Sequence, residues 1–304
     1  MSVSAKFSDF LTNIQLTENQ IADARSKHTN VRSALEKGFY SPPYPATTSI
    51  LVGSYGRNTA VRPPTDVDIL FIMPSSKWIN YRMYPGNGPS KLLQDVKSVL
   101  QKTYPTTTMR GDGQVVVVSF ANSFGVEVLP VFASTEAGLY YTPNTHNGGS
   151  WKTTNPDAEK KHISDSNKNS NGNTVHLVKM MKVWKHVYSV PLSSLAIELM
   201  AVPFIGQWNH RGKSTVYYDW MVRDFLAYAL TRVNSCEFIP GISELYWFGN
   251  AWKTRAETAF ARAQKACDYE AQAASSTGGT QIANDTLATL EWERIFGGFF
   301  TGKL

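Results

Sequence analysis

The stretch from residue 51 to residue 73, LVGSYGRNTAVRPPTDVDILFIM, decides the fold of this chain. Two carboxylates, Asp66 and Asp68, open an apolar run that has the composition of a buried strand. Side chains two residues apart on a β-strand point to the same face, so this pair is predicted to aim together while the apolar residues enter the core. Two carboxylates so close repel each other unless a cation lies between them, and Mg²⁺ accepts such ligands. The stretch therefore predicts a divalent-metal site, against the alternative of a solvated turn before a strand.

A third carboxylate lies in a second apolar strand. Glu127 is the only charged residue between Ala121 and Ser134. Burying a carboxylate there is costly unless it is paired or bound to metal. Three carboxylates on neighbouring strands suit a two-metal site, which activates an attacking hydroxyl and stabilises in-line displacement at phosphorus. The alternative is a carboxylate at a strand edge that faces water or an arginine.

Gly53 and Ser54 precede the carboxylate pair. Glycine at a strand end allows the backbone to approach a ligand closely. A helix over residues 55–60 would then turn its N-terminal amides toward phosphate oxygens, with the Ser54 hydroxyl as a further donor. The pair is therefore predicted to bind a phosphorylated substrate.

Patterning outside this stretch predicts a two-lobed α/β (α+β) fold. Thr17 and Gln20 have the form of a capping box that starts a helix in the first forty residues. The predicted elements of the first lobe, residues 1–165, are strands over 47–52, 67–73, 115–120 and 126–132 and a helix over 88–103. Residues 144–173 are polar and are predicted as a loop or connector, with one or two helical turns over 157–163. The second lobe, residues 166–304, is predicted to be mostly helical, with helices over 174–188, 192–204, 215–232, 247–273 and 283–296.

The composition and net charge of the chain limit the kinds of molecule that it is expected to bind. The 304 residues carry a net charge of +6, which favours an anionic partner such as a nucleoside triphosphate, a nucleic acid or an anionic surface. No run approaches the ~20 apolar residues of a membrane span, and the first residues lack an export signal, so no membrane association and a cytoplasmic location are expected. Two cysteines and six histidines show no zinc-ligand spacing, so no zinc site is predicted.

The pattern Gly-Ser-x-x-Arg-x-Thr…Asp-x-Asp resembles the signature of the polymerase-beta-like nucleotidyltransferases. It is most similar to the bacterial cGAS/DncV-like nucleotidyltransferases (CD-NTases), relatives of cyclic GMP-AMP synthase and oligoadenylate synthase. Four later segments also resemble that family: GGSWKTTNP at 148–156, LVKMMKVWK at 177–185, SLAIE at 194–198 and EWERIFG at 291–297. The resemblance thus extends from about residue 50 to residue 300.

The resemblance implies a role for seven residues. Asp66, Asp68 and Glu127 would be the catalytic residues and the ligands of two Mg²⁺ ions, with Mn²⁺ as a substitute, and Glu127 stands where the family usually has Asp. Gly53, Ser54, Lys182 and Ser194 would contact the donor triphosphate. Two simpler interpretations stay open: Lys182 could belong to a solvated helix face, and Ser194 could cap a helix N-terminus.

The activity implied by the resemblance is synthesis of a cyclic di- or trinucleotide, or a short oligonucleotide, from nucleoside triphosphates including ATP. This second messenger would act through a downstream effector in bacterial anti-phage (CBASS) defence. No double-stranded DNA activator is implied, because the zinc-bearing insertion of the animal enzyme has no counterpart. The alternatives are a chain-extending or adenylylating nucleotidyltransferase acting on RNA, protein or a small molecule, and a non-catalytic nucleotide-binding protein, suggested by glutamate at position 127.

Overall fold

The computed structural model describes residues 1–121 and 123–303. Within these ranges the chain forms eleven α-helices and nine β-strands. Up to residue 154 the elements are α1 (Val3–Ile14), α2 (Glu18–Phe39), β1 (Ser49–Leu51), α3 (Gly53–Gly56), β2 (Val67–Ile72), α4 (Trp78–Arg82), α5 (Gly88–Thr103), β3 (Thr108–Asp112), β4 (Val115–Ser119), β5 (Val126–Ala133), β6 (Tyr140–Asn144) and β7 (Ser150–Thr154). After it come α6 (Pro156–Asn169), α7 (Asn173–Val187), α8 (Ser194–Gln207), α9 (Tyr218–Thr231), β8 (Cys236–Phe238), β9 (Leu245–Trp247), α10 (Lys253–Ala274) and α11 (Gly278–Phe296).

A mixed seven-stranded sheet organises the first half of the chain. Its strand order is β1-β2-β5-β4-β3, with β6 and β7 continuing from the far end of β5. The pairing of β2 with β5 is parallel and all the others are antiparallel. Because β5 pairs with β2 on one side and β4 on the other, any polar side chain near its start lies in the middle of the sheet.

The two faces of the sheet differ in character. One face is apolar and packs against α2 and α5, and it carries Val67, Ile69, Phe71, Met109, Val116, Val118, Val126 and Val128. The residues that alternate with these include the polar Asp68 on β2, Glu127 on β5 and Arg110 on β3, together with apolar residues such as Leu70 and Leu129. The polar side chains of the three strands therefore share the opposite face, as strand alternation requires.

The helices after residue 173 surround a second core. This core is formed by side chains of α7 to α11, and Phe7, Phe10 and Ile14 of α1 belong to it as well. The first helix of the chain therefore packs on the helical half, while α2 packs on the sheet. Two cores agree with a two-lobed α/β fold, and the boundary between residues 165 and 166 stays a prediction.

The helix start predicted from Thr17 and Gln20 is confirmed. The Thr17 hydroxyl accepts from the Gln20 amide, and the Gln20 side chain accepts from the Thr17 amide, at 3.2 and 2.9 Å. This reciprocal pair satisfies two amides that the first turn leaves without helical partners.

The prediction of a loop over residues 144–173 was wrong, although the helical turns predicted over 157–163 lie within a longer helix. The segment contains β7 and the fourteen-residue helix α6. Asn155 caps this helix by accepting from the amide of Ala158 at 3.0 Å, and Pro156 occupies the first turn, where it costs no hydrogen bond. Only Pro156 and Ile163 of α6 are buried, which explains why hydrophobic periodicity did not indicate the helix.

Three helix predictions also had wrong bounds, and the helix expected over 283–296 begins five residues earlier, at Gly278. The helix expected over 55–60 is a single turn, Gly53–Gly56, and the chain leaves the helical conformation at Asn58, whose φ is 59°. The helix expected from residue 247 begins at Lys253, since Leu245–Trp247 is the second strand of a short hairpin. In the part of the chain that the structure describes, no helix combines the length and apolar character needed to cross a membrane.

Candidate active site

Asp68 and Glu127 are direct neighbours across two parallel strands. Their Cα atoms are register partners in the β2–β5 pairing, so about 5 Å of strand spacing separates the two backbones. The preceding pair in the same register, Val67 and Val126, is fully buried in the sheet core. Because alternation puts that pair in the core, both carboxylates project from the opposite face. Glu127 lies on an internal strand, so the interpretation as a strand-edge carboxylate was wrong.

Asp66 lies just before β2 and is held by Gly125, the residue just before β5. Its Oδ1 accepts a hydrogen bond from the amide of Gly125 at 2.7 Å. A Cβ atom added at Gly125 would lie 2.7 Å from that same oxygen, closer than real Cβ contacts allow. The absence of a side chain at position 125 therefore lets Asp66 bond to the backbone immediately before Glu127's strand.

The turn that begins at Gly53 is packed directly against Asp68. A Cβ at Gly53 would lie 1.7 Å from Oδ2 of Asp68, and Gly53 has a φ of +57°, a conformation that favours glycine. The amide of Val52 donates to the Asp68 carbonyl at 3.0 Å, and the backbone of Ser54 adjoins the Asp68 carboxylate, where it favours the charged form. The Gly53 turn and the Asp68 carboxylate are thus neighbours, and the predicted contact of this turn with a phosphate group stays a prediction.

Negative charge accumulates on this face of the sheet. Burial raises the pKa of Asp68, and the cations Arg57 and Lys182 oppose that effect. Burial, with added repulsion from Asp68 and Asp66, raises the pKa of Glu127 to about 6. Arg110 is the cation that opposes this shift.

The donor chemistry of Asp66, Asp68 and Glu127 fits a hard divalent cation. All three supply carboxylate oxygens, which are the ligands that Mg²⁺ prefers, and the mutual repulsion at Asp68 and Glu127 is the electrostatic strain that a cation relieves. As the side chains stand, no three His, Cys, Asp or Glu residues in the described ranges converge on one point that could hold an ion. The Asp66 oxygen is bound to the Gly125 amide instead. The ligand set therefore stays a prediction that the strand register favours.

Lys182 is buried beside the carboxylates. Only 8% of the residue is exposed, and its Nζ donates to the carbonyl of Thr59 at 2.9 Å. Burial lowers its pKa to about 8, although Glu198 and Asp68 favour the charged form. The interpretation of this lysine as part of a solvated helix face was wrong, since α7 directs it at the segment that follows Gly53–Gly56.

Ser194 shares a cavity with Lys182. The cavity measures about 370 Å³, and Arg62, Lys182, Lys185, His186 and Ser194 contribute polar groups to its wall. Ser193, one residue earlier, caps α8 by accepting from the amide of Ala196 at 3.0 Å. The Ser194 hydroxyl is instead 3.4 Å from Nζ of Lys185. The capping explanation therefore belongs to Ser193, and Ser194 faces a cationic cavity at the edge of the site.

A buried ionic network that sequence reasoning did not assign joins the two halves of the chain. Arg57, just after the α3 turn, contacts Glu159 of α6 and Glu198 of α8, both at 2.7 Å. The Thr59 hydroxyl donates to Glu198 at 2.8 Å. Arg57 and Thr59 belong to the Gly-Ser-x-x-Arg-x-Thr pattern, and that pattern was the only indication of their role in the sequence. Their partners could not be inferred from it, because they lie about 100 and 140 residues away along the chain. The network positions Thr59, whose carbonyl accepts from Lys182.

Comparison with known protein families identifies the first half of the chain. The family model for the Second Messenger Oligonucleotide or Dinucleotide Synthetase domain (SMODS) matches residues 1–167, which is more than half of the chain. The chain is also similar to a cyclic AMP-AMP-AMP synthase of an Acinetobacter strain, with 26% identity over 99% of this chain and 86% of that protein.

Solved structures share the fold over nearly the whole chain. The structure of CdnC of Escherichia coli MS115-1 with ATP superposes with a TM-score of 0.66 at 18% identity and covers 98% of both chains. The structure of the cyclic AMP-GMP synthase DncV of Vibrio cholerae, in complex with the linear intermediate 5′ pppA(3′,5′)pG, superposes with a TM-score of 0.66 at 12% identity. It covers 96% of this chain and 94% of that one. These similarities confirm the predicted polymerase-beta-like fold.

Proposed function

The chain belongs to the family of Second Messenger Oligonucleotide or Dinucleotide Synthetases, nucleotidyltransferases that act on nucleoside triphosphates, and on that premise we propose which reaction it performs and with which residues. The reaction is attack by the 2′- or 3′-hydroxyl of one nucleotide on the α-phosphate of another, with release of pyrophosphate. A second round of the same reaction closes a cyclic di- or trinucleotide. ATP is among the substrates, in keeping with the cyclic AMP-AMP-AMP synthase that aligns over almost the full chain.

The register pairing of Asp68 with Glu127 is the observation that carries the proposal. Family members depend on a metal ion. Two Mg²⁺ ions bound by Asp66, Asp68 and Glu127 would lower the pKa of the attacking hydroxyl and neutralise negative charge at the α-phosphate. Asp68 and Glu127 lie on one face of an internal pair of hydrogen-bonded strands, and this rigid pairing fixes their relative backbone positions. That rigidity matters because metal-assisted displacement depends on positioning more than on covalent chemistry.

The protein's cations and amides are arranged to bind the donor triphosphate. The α3 turn is packed against Asp68, so a phosphate group bound beside the turn would also lie next to the carboxylates. Lys182 and the cavity that contains Ser194 lie on the side of the helical half. A triphosphate there would keep Lys182 charged, since an anion nearby favours the ammonium form.

Product analysis tests this function. The enzyme is incubated with labelled ATP and the other nucleoside triphosphates, without an acceptor, and the products are treated with phosphatase and analysed by mass spectrometry. A phosphatase-resistant small product identifies cyclisation. A product that forms only when RNA, protein or a small-molecule acceptor is added would instead support the chain-extending or adenylylating alternative.

The biological role follows from the family and is proposed with it. A cyclic nucleotide made by this chain would act on a separate effector in anti-phage defence. Co-expression with candidate effectors during phage challenge, in cells carrying the wild-type chain or the Asp66→Asn/Asp68→Asn variant, tests this role. Protection that persists with the variant would show that the nucleotide product is not the signal.

A further inference from the structure

A cavity rich in arginine lies in the helical half, lined by none of the residues of the candidate active site. Its volume is about 390 Å³, within the range of small-molecule sites. Helices α7, α10 and α11 and the residue after α7 form its wall, which consists of Trp184, Tyr188, Arg255, Thr258, Ala259, Arg262 and Arg294.

The cavity carries an excess of positive charge. Arg262 and Arg294 both contact the carboxylate of Glu291, at 3.2 and 2.5 Å, and the Glu291 side chain is only 9% exposed. Arg255 donates to the backbone carbonyls of Tyr188 and Ser189 and has no carboxylate partner among the ion pairs of the described residues. Three guanidinium groups and one carboxylate leave two positive charges unbalanced. An anion with at least two negative charges would balance them, and guanidinium groups match phosphate oxygens in geometry.

An aromatic surface adjoins these charges. Tyr188 is 41% exposed and lies beside Arg255 and Arg294 in the cavity wall, where a planar ring could stack on it. Bases stack on exposed aromatic side chains in nucleotide-binding sites. From the charge, the aromatic wall and the volume, we propose that this cavity is a second nucleotide site, which binds the phosphate group of a nucleotide on its arginines and the base on Tyr188.

This cavity is linked to the active site through the end of α7. Arg255 holds the carbonyls of Tyr188 and Ser189, and Ser189 has a left-handed backbone, with a φ of 44°. Ser189 also lines the cavity that contains Lys182 and Ser194. A phosphate that binds Arg255 competes with those carbonyls and so acts on a strained turn shared by both cavities.

Binding of AMP in EDTA tests the proposal. Without metal ions, and with a ligand that lacks the triphosphate, nucleotide binding at the active site is weakened. Equilibrium dialysis with labelled AMP and, separately, labelled inorganic phosphate would compare the wild type with Arg294→Gln and Tyr188→Leu. Arg294→Gln leaves Arg262 on Glu291, so no buried carboxylate loses both partners. Arg82→Gln, an exposed arginine at the end of α4, is the matched control, and Asp66→Asn/Asp68→Asn reports on the active site.

The expected result is AMP binding in the wild type, the control and the Asp66→Asn/Asp68→Asn variant alike. Arg294→Gln should weaken it by about tenfold, as loss of a charged hydrogen bond does. Tyr188→Leu should weaken AMP binding by about five- to tenfold and leave phosphate binding unchanged, as loss of base stacking does. AMP binding that is unaffected by Arg294→Gln, that disappears in the Asp66→Asn/Asp68→Asn variant, or that is no tighter than phosphate binding would overturn the proposal. So would the absence of AMP binding to the wild type. None of these outcomes depends on whether the chain forms a cyclic product.

Discussion

Asp68 and Glu127 are register partners on adjacent parallel strands, and they come from sequence positions 59 residues apart. The pairing makes the carboxylate site a property of the sheet, because a shift of one residue in register would turn one of the two side chains into the core. Burial raises the pKa of Glu127, and the charge of the neighbouring Asp68 raises it further.

For catalysis, the negative charge of Glu127 is expected to matter more than the length of its side chain. Glu127→Gln removes a charged ligand and should lower kcat for pyrophosphate release by about 100-fold or more, the factor that roughly 3 kcal/mol of lost transition-state stabilisation produces. Glu127→Asp keeps the charge and should retain more activity than Glu127→Gln. Steady-state rates in Mg²⁺ measure both. Equal rates for the two variants would show that the carboxylate at position 127 does not bind the metal.

Gly53 is expected to tolerate no side chain. Gly53→Ala places a methyl group 1.7 Å from an Asp68 oxygen and also requires a positive φ. The turn or the carboxylate must move, so activity should fall by at least tenfold, as small misplacements of reacting groups do. Gly279→Ala is the matched control, since that glycine lies in α11 with nothing within 4 Å of its added Cβ. Initial rates and circular dichroism of both variants separate loss of positioning from loss of fold.

Lys182 is expected to make triphosphate binding sensitive to alkaline pH. Burial lowers its pKa from 10.5 to about 8, and only the protonated form attracts the triphosphate. The KM for ATP should therefore rise as pH increases above about 8. Lys182→Arg stays charged and should flatten this rise. A KM profile that is the same in both proteins from pH 7 to pH 9.5 would remove Lys182 from triphosphate binding.

The contribution of Lys182 to the stability of the fold should change with pH in the opposite direction to its contribution to ATP binding. The folded-state pKa of Lys182 is lower than the unfolded value, so the unfolded chain binds the proton more tightly between about 8 and 10.5. Its contribution to the free energy of unfolding therefore increases as pH rises through that window. Denaturant unfolding of the wild type and of Lys182→Met, compared at pH 7 and at pH 9.5, measures the difference.

Arg57 is expected to stabilise the junction between the sheet and the helices. Arg57→Ala leaves the buried carboxylates of Glu159 and Glu198 without their cation and should destabilise the fold by about 3–5 kcal/mol. The exposed pair of Lys161 and Asp165 gives the control, because Lys161→Ala should change stability by less than about 1 kcal/mol. Denaturant midpoints of the two variants test the difference. Equal midpoints would mean that the buried network does not hold the halves together.

The strand face that carries Asp66 and Asp68 could be predicted from the sequence, because the alternation of side chains along a strand depends only on residues close together in the chain. Asp66 and Asp68 stand out from apolar neighbours, and a two-residue period was enough to expect them on one face of the sheet. The place of Glu127 beside Asp68 depends on the β2–β5 register, which alternation alone does not determine. The capping box at Thr17 and Gln20 is equally local, and it is confirmed.

The structural features that could not be predicted from the sequence either depend on contacts between residues far apart in the chain or lack a clear hydrophobic pattern. Helix α6 buries only two of its fourteen residues, so periodicity gave no signal, although Asn155 followed by Pro156 was an available start signal. The partners of Arg57 could not be inferred, because Glu159 and Glu198 approach it only when helices from the second half pack beside the sheet. The burial of Lys182 has the same origin, since the sequence shows it on a basic helix face.

Pyrophosphate release by the Asp66→Asn/Asp68→Asn variant, measured beside the wild type with ATP in Mg²⁺ and again in Mn²⁺, tests the central assignment most directly. We predict steady release by the wild type and none above background by the variant in either metal, while circular dichroism shows the same fold for both. Unchanged release by a correctly folded variant would contradict the assignment of the catalytic carboxylates.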